Sequence, residues 1–308
     1  MHRPMARDSL RWIEAYQSVG CRVVVDEDDD MSCVPRANLH QPTPEMLRSH
    51  DAAIRAADGL IVTTPRLQEV YGPLARRSWV VPNLMAEWVY DIRPTIIRRD
   101  LGIVRVGWAG VPSVHAHDLN WLRPGSEQGF AGATLSTVGD MSSPKFLGWL
   151  GPMERFGWQS SPEIFYRLMA RADIGIVPLD NGENLAFNTA KSHLKALEYA
   201  ALGKPVVATR LPEQANIVID GETGFLADDP LTFAARVRQL VGDPDLRERM
   251  GAAARRQAEK FSIPAGIGRW EEILRAFSPP KRRREPQVRR GRPRRSVAPG
   301  TAVLDRAG

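Results

Sequence analysis

Three charged side chains, Lys191, Lys195 and Glu198, fall at i, i+4 and i+7 within one segment of this chain. The segment runs from Phe187 to Pro230: FNTAKSHLKALEYAALGKPVVATRLPEQANIVIDGETGFLADDP. Helical spacing would put the three charges on one face. Leu194, Leu197, Ala200 and Ala201 recur at the same spacing, so a helix is expected over 190–202, stopped by Gly203 and Pro205. PVVAT (205–209) then reads as an apolar strand of the kind buried in a parallel sheet. A loop, a second helix, a Gly-rich turn and a final strand follow. A carboxylate and two ammonium groups facing one way suit a phosphate-linked sugar. Ligands of open α/β sheets sit at the C-terminal edge, where this face would lie. A solvated surface pair is the plainer reading of the spacing.

Three other stretches carry chemistry. GWAGVPSVHAHDL (107–119) sets glycines, a serine and two histidines between a strand and a helix start. Glycine allows close backbone approach, and the unpaired N–H groups of a helix start favour an anion. Gly110, Ser113 and His115 are therefore candidate diphosphate contacts. His117 and His115 have no third ligand at metal spacing, so both read as polar loop residues. ERFGWQSSPE (154–163) offers Phe156 or Trp158 to a planar base, or equally to a core. The acidic run Asp26 to Asp30 follows a valine strand (22–25) and has three readings. It could be a D-x-D motif for a hard divalent cation, a cleft-facing loop with Asp28 or Asp30 near an acceptor, or a solvated loop. No Ser/His/Asp or Cys/His arrangement suggests a hydrolase.

LEYAALGKPVVAT followed by DGETGFLADD resembles the donor-binding segment of retaining GT-B glycosyltransferases of the family 4 type. There an E-A-(M/L)-A-x-G-x-P-V-(V/I)-A run leads into a G-x-x-G-(F/L)-L turn. The resemblance extends more weakly over 100–278 and back toward residue 20. It implies an α/β protein of GT-B-like architecture, with two Rossmann-like parallel-sheet domains. It also implies that Glu198 holds the ribose hydroxyls and that the ERFGWQSSPE stretch, with Phe156 or Trp158, lies near the base. The family's second glutamate, eight residues earlier, holds the transferred sugar; here that position is Ala190, with Lys191 beside it. The FN-x-x-KS-x-x-K-x-x-EY pattern is similar to a subgroup with lysine and asparagine at that place. This implies that Asn188 and Lys191 face the donor, with Lys191 on the diphosphate and Lys195 assisting. In GT-B enzymes basic residues and helix dipoles replace a metal. The cleft-loop reading of the acidic run therefore ranks first, with no metal and no cofactor beyond the nucleotide-sugar substrate.

The elements that must position these residues alternate as strand and helix, which argues for parallel βαβ packing. Helices are expected at 8–19, 45–57, 163–171, 230–241, 243–260 and 263–277. Strands are expected at 59–65, 78–83, 105–110, and within ATLSTVGD, ADIGIVPL and TGFLADD. The organisation read from this is a shortened N-terminal, acceptor-side α/β domain (1–97) and a nucleotide-sugar-binding α/β domain (98–278). A basic tail (279–308), expected to be disordered, follows. The last helix is expected to cross back to the first domain, as in GT-B enzymes. The first domain is short and incomplete for that fold, so a partner chain supplying the missing βα units is one expectation.

With 43% hydrophobic and 25% charged residues the composition is that of an ordinary globular protein. No apolar run approaches membrane length and no signal region opens the chain, so a cytoplasmic protein is expected. Cys21 and Cys33 make neither a metal spacing nor a disulfide framework. The net charge of +6 is located in the tail. Residues 279–308 hold ten basic and two acidic side chains, which leaves the tail at +8 and the rest at −2. The body is therefore not a basic nucleic-acid-binding domain. In the tail, Arg290-Gly-Arg292-Pro, flanked by further arginines including Arg294, looks like an AT-hook core, which would enter a narrow A·T minor groove. An Arg/Pro-rich composition alone can mimic it. The expected function is transfer of a sugar from a nucleotide sugar to an acceptor that is a glycan, protein, lipid or modified DNA. The alternatives are an accessory sugar-nucleotide-binding subunit and a DNA-associated protein.

Overall fold

The computed structural model describes residues 1–36, 38, 41–92, 102–127, 129–130, 132–139 and 151–278. The tail, with Arg290, Arg292 and Arg294, and the boundary near residue 97 lie outside the described residues. Two parallel sheets organise the rest. The first has the order β1 (Val24–Glu27), β2 (Gly59–Val62), β3 (Ser78–Val80). Helices α1 (Ser9–Ser18), α2 (Pro44–Ala56), α3 (Pro65–Tyr71) and the short α4 (Glu87–Tyr90) accompany it. The second sheet contains β4 (Arg105–Ala109), β5 (Thr134–Val138), β6 (Met153–Phe156), β7 (Ile174–Val177), β8 (Val206–Thr209) and β9 (Gly224–Ala227). Their order is β6-β5-β4-β7-β8-β9, all parallel. The chain order reverses between β4 and β7, which opens the crevice where such sheets bind ligands. Helices α5 (Ala116–Ser126), α6 (Pro162–Met169), α7 (Leu185–Ala190), α8 (Leu194–Ala201), α9 (Pro230–Gly242), α10 (Pro244–Glu259) and α11 (Ile263–Phe277) complete the described chain.

Local chemistry explains most of these elements. β2, β7, β8 and β9 are buried at every position, as continuous apolar runs in covered parallel sheets should be. Helices α2, α3, α6, α9 and α10 each start on a capping residue followed by proline: Thr43, Thr64, Ser161, Asp229 and Asp243. The capping oxygen satisfies an orphan N–H, and proline at the first helical position has no N–H to lose. Helix α11 crosses back to the first sheet, as expected. Ile273 packs with Ile61 and Val81, and Phe277 meets Trp79 edge-on at 5.5 Å. Among the described residues no helix is long and apolar enough to cross a membrane.

Three local expectations are corrected, and one strand is added. The helix expected over 190–202 is two helices, broken at Lys191–His193, with Lys191 extended at φ −66°, ψ 135°. The first lobe competes for this backbone and its side chains: Thr64 Oγ1 donates to the Ala190 carbonyl at 3.0 Å, and Asn83 Nδ2 donates to Ser192 Oγ at 2.7 Å. The first strand lies at 24–27 rather than 22–25, because Glu27 is taken into the sheet and satisfied there, while Arg22 turns to Asp58 at 2.8 Å. The second helix of the motif is one 3₁₀ turn, Gln214–Asn216, followed by the β-branched Ile217 and Val218, both buried. Met153–Phe156, for which no strand was expected, is the edge strand β6, whose mixed burial has no clear alternation.

One packing contact sets the register of α8. The Tyr199 ring lies over β4 and β7, and a Cβ on Gly175 would come within 2.3 Å of it, one on Gly107 within 3.0 Å. Gly175→Ala should therefore lower stability by about 1–3 kcal/mol through overpacking, measured by urea denaturation. An unchanged midpoint would show that the ring can move aside.

Candidate functional site

Glu198, on α8 above the Tyr199 packing, is 4% exposed. Its carboxylate accepts from Tyr166 Oη at 3.2 Å and from Lys195 Nζ at 2.8 Å. Burial, reinforced by the Glu198 charge, pushes the Tyr166 hydroxyl well above its ordinary pKa, so it stays a donor. The Lys195 ammonium also lies over the Phe165 ring at 5.1 Å. Lys195 and Glu198 thus share a face as the spacing predicts. Lys191 does not, because the helix breaks beneath it. Its ammonium reaches the other lobe instead, 3.9 Å from Asp29, and sits over the Phe187 ring at 4.6 Å.

The acidic run divides by burial rather than forming one loop. Glu27 is fully buried and its Oε2 lies 2.6 Å from His50 Nε2, while its Oε1 accepts the Asp28 and Asp29 N–H groups. Asp28 is bound by the Arg3 guanidinium at 2.6 Å. Asp30 is 3% exposed and caps the following 3₁₀ turn, accepting from Ser32 N–H at 3.0 Å and Ser32 Oγ at 2.6 Å. Asp30 is therefore a capping residue and not a free base. Burial and the Asp30 charge push the neighbouring Cys33 thiol up to about 12, which keeps it protonated. Asp29, not singled out in the sequence, is the carboxylate that meets the second lobe. Among the described residues no group of three or more His, Cys, Asp or Glu side chains is arranged to hold a metal.

The loop after β4 is organised differently from the expectation. The Gly110 N–H is spent on the Val138 carbonyl at 2.9 Å, so it is not available to a diphosphate. Gly139 lies so close above that a Cβ on it would fall 1.8 Å from the Gly110 carbonyl oxygen. Val114 and His115 N–H both turn back to the Val111 carbonyl, with half-buried Ser113 inside that turn. His115 precedes the first residue of α5, and its Nδ1 lies 3.1 Å from Asp118 Oδ2. Phe156 packs in the core beneath the Arg171 guanidinium at 5.1 Å. Trp158 is the exposed aromatic, at 71%.

Asp118 joins these pieces and carried no signal beyond a lone aspartate early in a helix after a Gly loop. It is 1% exposed. Its Oδ1 accepts from Asp180 N–H at 2.8 Å and Asn188 Nδ2 at 2.7 Å. His115 and His117 approach its Oδ2 at 3.1 and 3.3 Å. Asn188 is thereby buried and turned toward β7, also donating to the Asp180 carbonyl at 2.9 Å. Burial alone would raise the Asp118 carboxyl, but the His115 hydrogen bond and the field of Lys191 outweigh it and hold it below the ordinary range. Burial lowers both histidines, helped by Lys191, and Asp118 only partly offsets this. A cavity of 780 Å³ opens beside the cluster, between Cys33–Arg36 of the first lobe and His117, Trp121 and Asp180 of the second.

Residues 125–243 match the family model described as Glycosyl transferases group 1. The architecture is that of GT-B glycosyltransferases. The chain superposes on the Anabaena Alr3699/HepE structure in complex with UDP-glucose with a TM-score of 0.64 and 18% identity, over 87% of this chain and 76% of that one. Sucrose-phosphate synthase from Thermosynechococcus elongatus superposes with a TM-score of 0.62 and 18% identity, over 87% and 72%. In sequence the chain is similar to D-inositol 3-phosphate glycosyltransferase of Corynebacterium diphtheriae, 36% identical over 114 residues, which are 36% of this chain and 25% of that protein. The same enzyme of Nocardioides sp. is 33% identical over 144 residues, 46% and 28% of the two chains. The chain thus spans about a quarter of the length of these curated relatives.

The buried histidines generate a pH prediction. His115 and His117 titrate below their ordinary 6.5 in the fold, so the unfolded chain binds more protons and stability falls as pH drops below that value. Asp118, also lowered, acts in the same direction at more acid pH. The melting temperature should fall from pH 7 to pH 5, and less steeply in His117→Asn. Identical slopes for the two proteins would show that His117 does not titrate in this range.

Proposed function

We propose that this chain moves a sugar from a nucleotide-sugar donor to a hydroxyl acceptor, with retention at the anomeric carbon and no essential metal. The observation that carries the reading is the buried Glu198, tied to Lys195 and Tyr166 at the C-terminal edge of a six-stranded parallel sheet. It lies within the segment that matches group 1 glycosyl transferases. Glu198 would take the ribose hydroxyls. Lys191 and Lys195 would stabilise the departing diphosphate, exchanging their carboxylate partners for phosphate oxygens in a cleft that excludes water. The Asp29 loop lies on the acceptor side. UDP as the nucleotide is supported by the UDP-glucose complex of the Anabaena neighbour.

A thermal-shift panel of UDP-, GDP-, ADP- and TDP-sugars tests the reading on the full chain, with K191A/E198A as control. At a ligand concentration 100 times Kd the stabilisation would be about 2.7 kcal/mol. One nucleotide series should raise the melting temperature of the wild type by several degrees and leave the double variant unmoved. Equal shifts in both proteins, or none in the wild type, would refute the donor site.

A further inference from the structure

The position that would bring a glutamate to the transferred sugar cannot do so in this fold. Ala190 is fully buried in the core of the first lobe, and its carbonyl accepts from Thr64 Oγ1 at 3.0 Å. The crevice between β4 and β7 is filled by other polar groups. Asn188 uses both amide hydrogens, on Asp118 Oδ1 at 2.7 Å and on the Asp180 carbonyl at 2.9 Å. That network decides its orientation and leaves Oδ1 with no hydrogen bond, in a residue that is 0% exposed. His117, 7% exposed, lines the 780 Å³ cavity; its Nε2 lies 3.3 Å from Asp118 Oδ2, and its buried Nδ1 has no hydrogen bond. A buried polar group without a partner costs about 1–3 kcal/mol. Two such residues, from two different strand ends, converge at the switch point of the sheet.

We propose that Asn188 and His117 bind hydroxyls of the transferred sugar and set sugar specificity, with Asp118 as the positioning residue that orients them. This rests on the nucleotide-sugar reading above. An amide oxygen and an imidazole nitrogen can each accept from a hydroxyl, and an imidazole N–H can donate to a further oxygen. Asp118 has both oxygens engaged, so it acts through its partners. It takes one Asn188 amide hydrogen and so fixes the amide with Oδ1 buried and without a hydrogen bond, and it draws both imidazoles toward one carboxylate oxygen. A site built on such groups discriminates strongly against sugars that leave them unpaired.

Calorimetry on the full chain separates this role from general binding. The nucleoside diphosphate that binds wild type best (UDP, GDP, ADP or TDP) is compared with its hexose conjugates in Asn188→Ser, His117→Gln and Asp118→Asn. The expected result is nucleotide affinity within about twofold of wild type, while the added affinity due to the sugar falls about tenfold. In Asp118→Asn the acid limb of sugar binding should also move to lower pH, since the histidines lose a neighbouring carboxylate; loosened packing alone would leave that limb in place. His117→Gln, at the cavity wall, is the mildest change and decides the matter if the buried Asn188 or Asp118 variants unfold. An unchanged sugar contribution in His117→Gln, or an equal loss of nucleotide and conjugate affinity in all three variants, would overturn the assignment. A wild type that binds none of the four nucleotides would instead sink the nucleotide-sugar reading, and this one with it.

Discussion

The second lobe depends on the Tyr199 ring lying against two strands with nothing larger than glycine beneath it. Gly107 on β4 and Gly175 on β7 let the ring approach within distances that any Cβ would violate. Interiors packed to crystal density transmit such a constraint instead of absorbing it. The ring anchors α8 across β4 and β7, between which the chain order reverses. Glu198, one residue earlier, is then carried to the C-terminal edge, where Tyr166 and Lys195 meet its carboxylate. A side chain placed by a core contact is held more precisely than one placed by a loop.

The two lobes are joined through backbone and side-chain hydrogen bonds at the same place where the helix breaks. Residues 191–193 give up helical geometry, and Thr64, Asn83 and Glu213 supply partners to this stretch and to the Ala190 carbonyl before it. Helix propensity differs by only a few tenths of a kcal/mol among these residues. One or two buried hydrogen bonds outweigh that. The break turns Lys191 away from the face of Lys195 and Glu198 and toward Asp29. The cation expected on one helix face becomes the contact between lobes, at a 3.9 Å separation.

Charge in the crevice is controlled by burial. Asp118 stays ionised despite its burial because His115 donates to it and Lys191 lies near, whereas the histidines are driven toward neutrality. Neutral imidazoles next to a carboxylate keep the region able both to donate and to accept. The two lysines nearby are each paired with a carboxylate, Lys191 with Asp29 and Lys195 with Glu198.

Apolar runs, turn residues and capping pairs were readable in the chain itself. The buried strands GLIV, IGIV, VVAT and GFLA, the five capping-residue-and-proline helix starts, and the Lys195–Glu198 pair are local patterns with local causes. The edge strand β6 was hidden because a half-exposed strand needs no periodic apolar pattern. Asp30 as a cap and Glu27 as a buried strand residue could not be told from their acidic neighbours, since burial depends on what packs above them. Asp118 was one aspartate among many until Asn188, seventy residues on, arrived beside it. The sequence by itself determined which segments must be buried and where helices begin, because burial and capping are satisfied by near neighbours. The tertiary structure alone decided where Lys191 points, which carboxylates are spent on structure and which polar atoms are left open. Those outcomes follow from competition for hydrogen-bond partners that lie far apart along the chain.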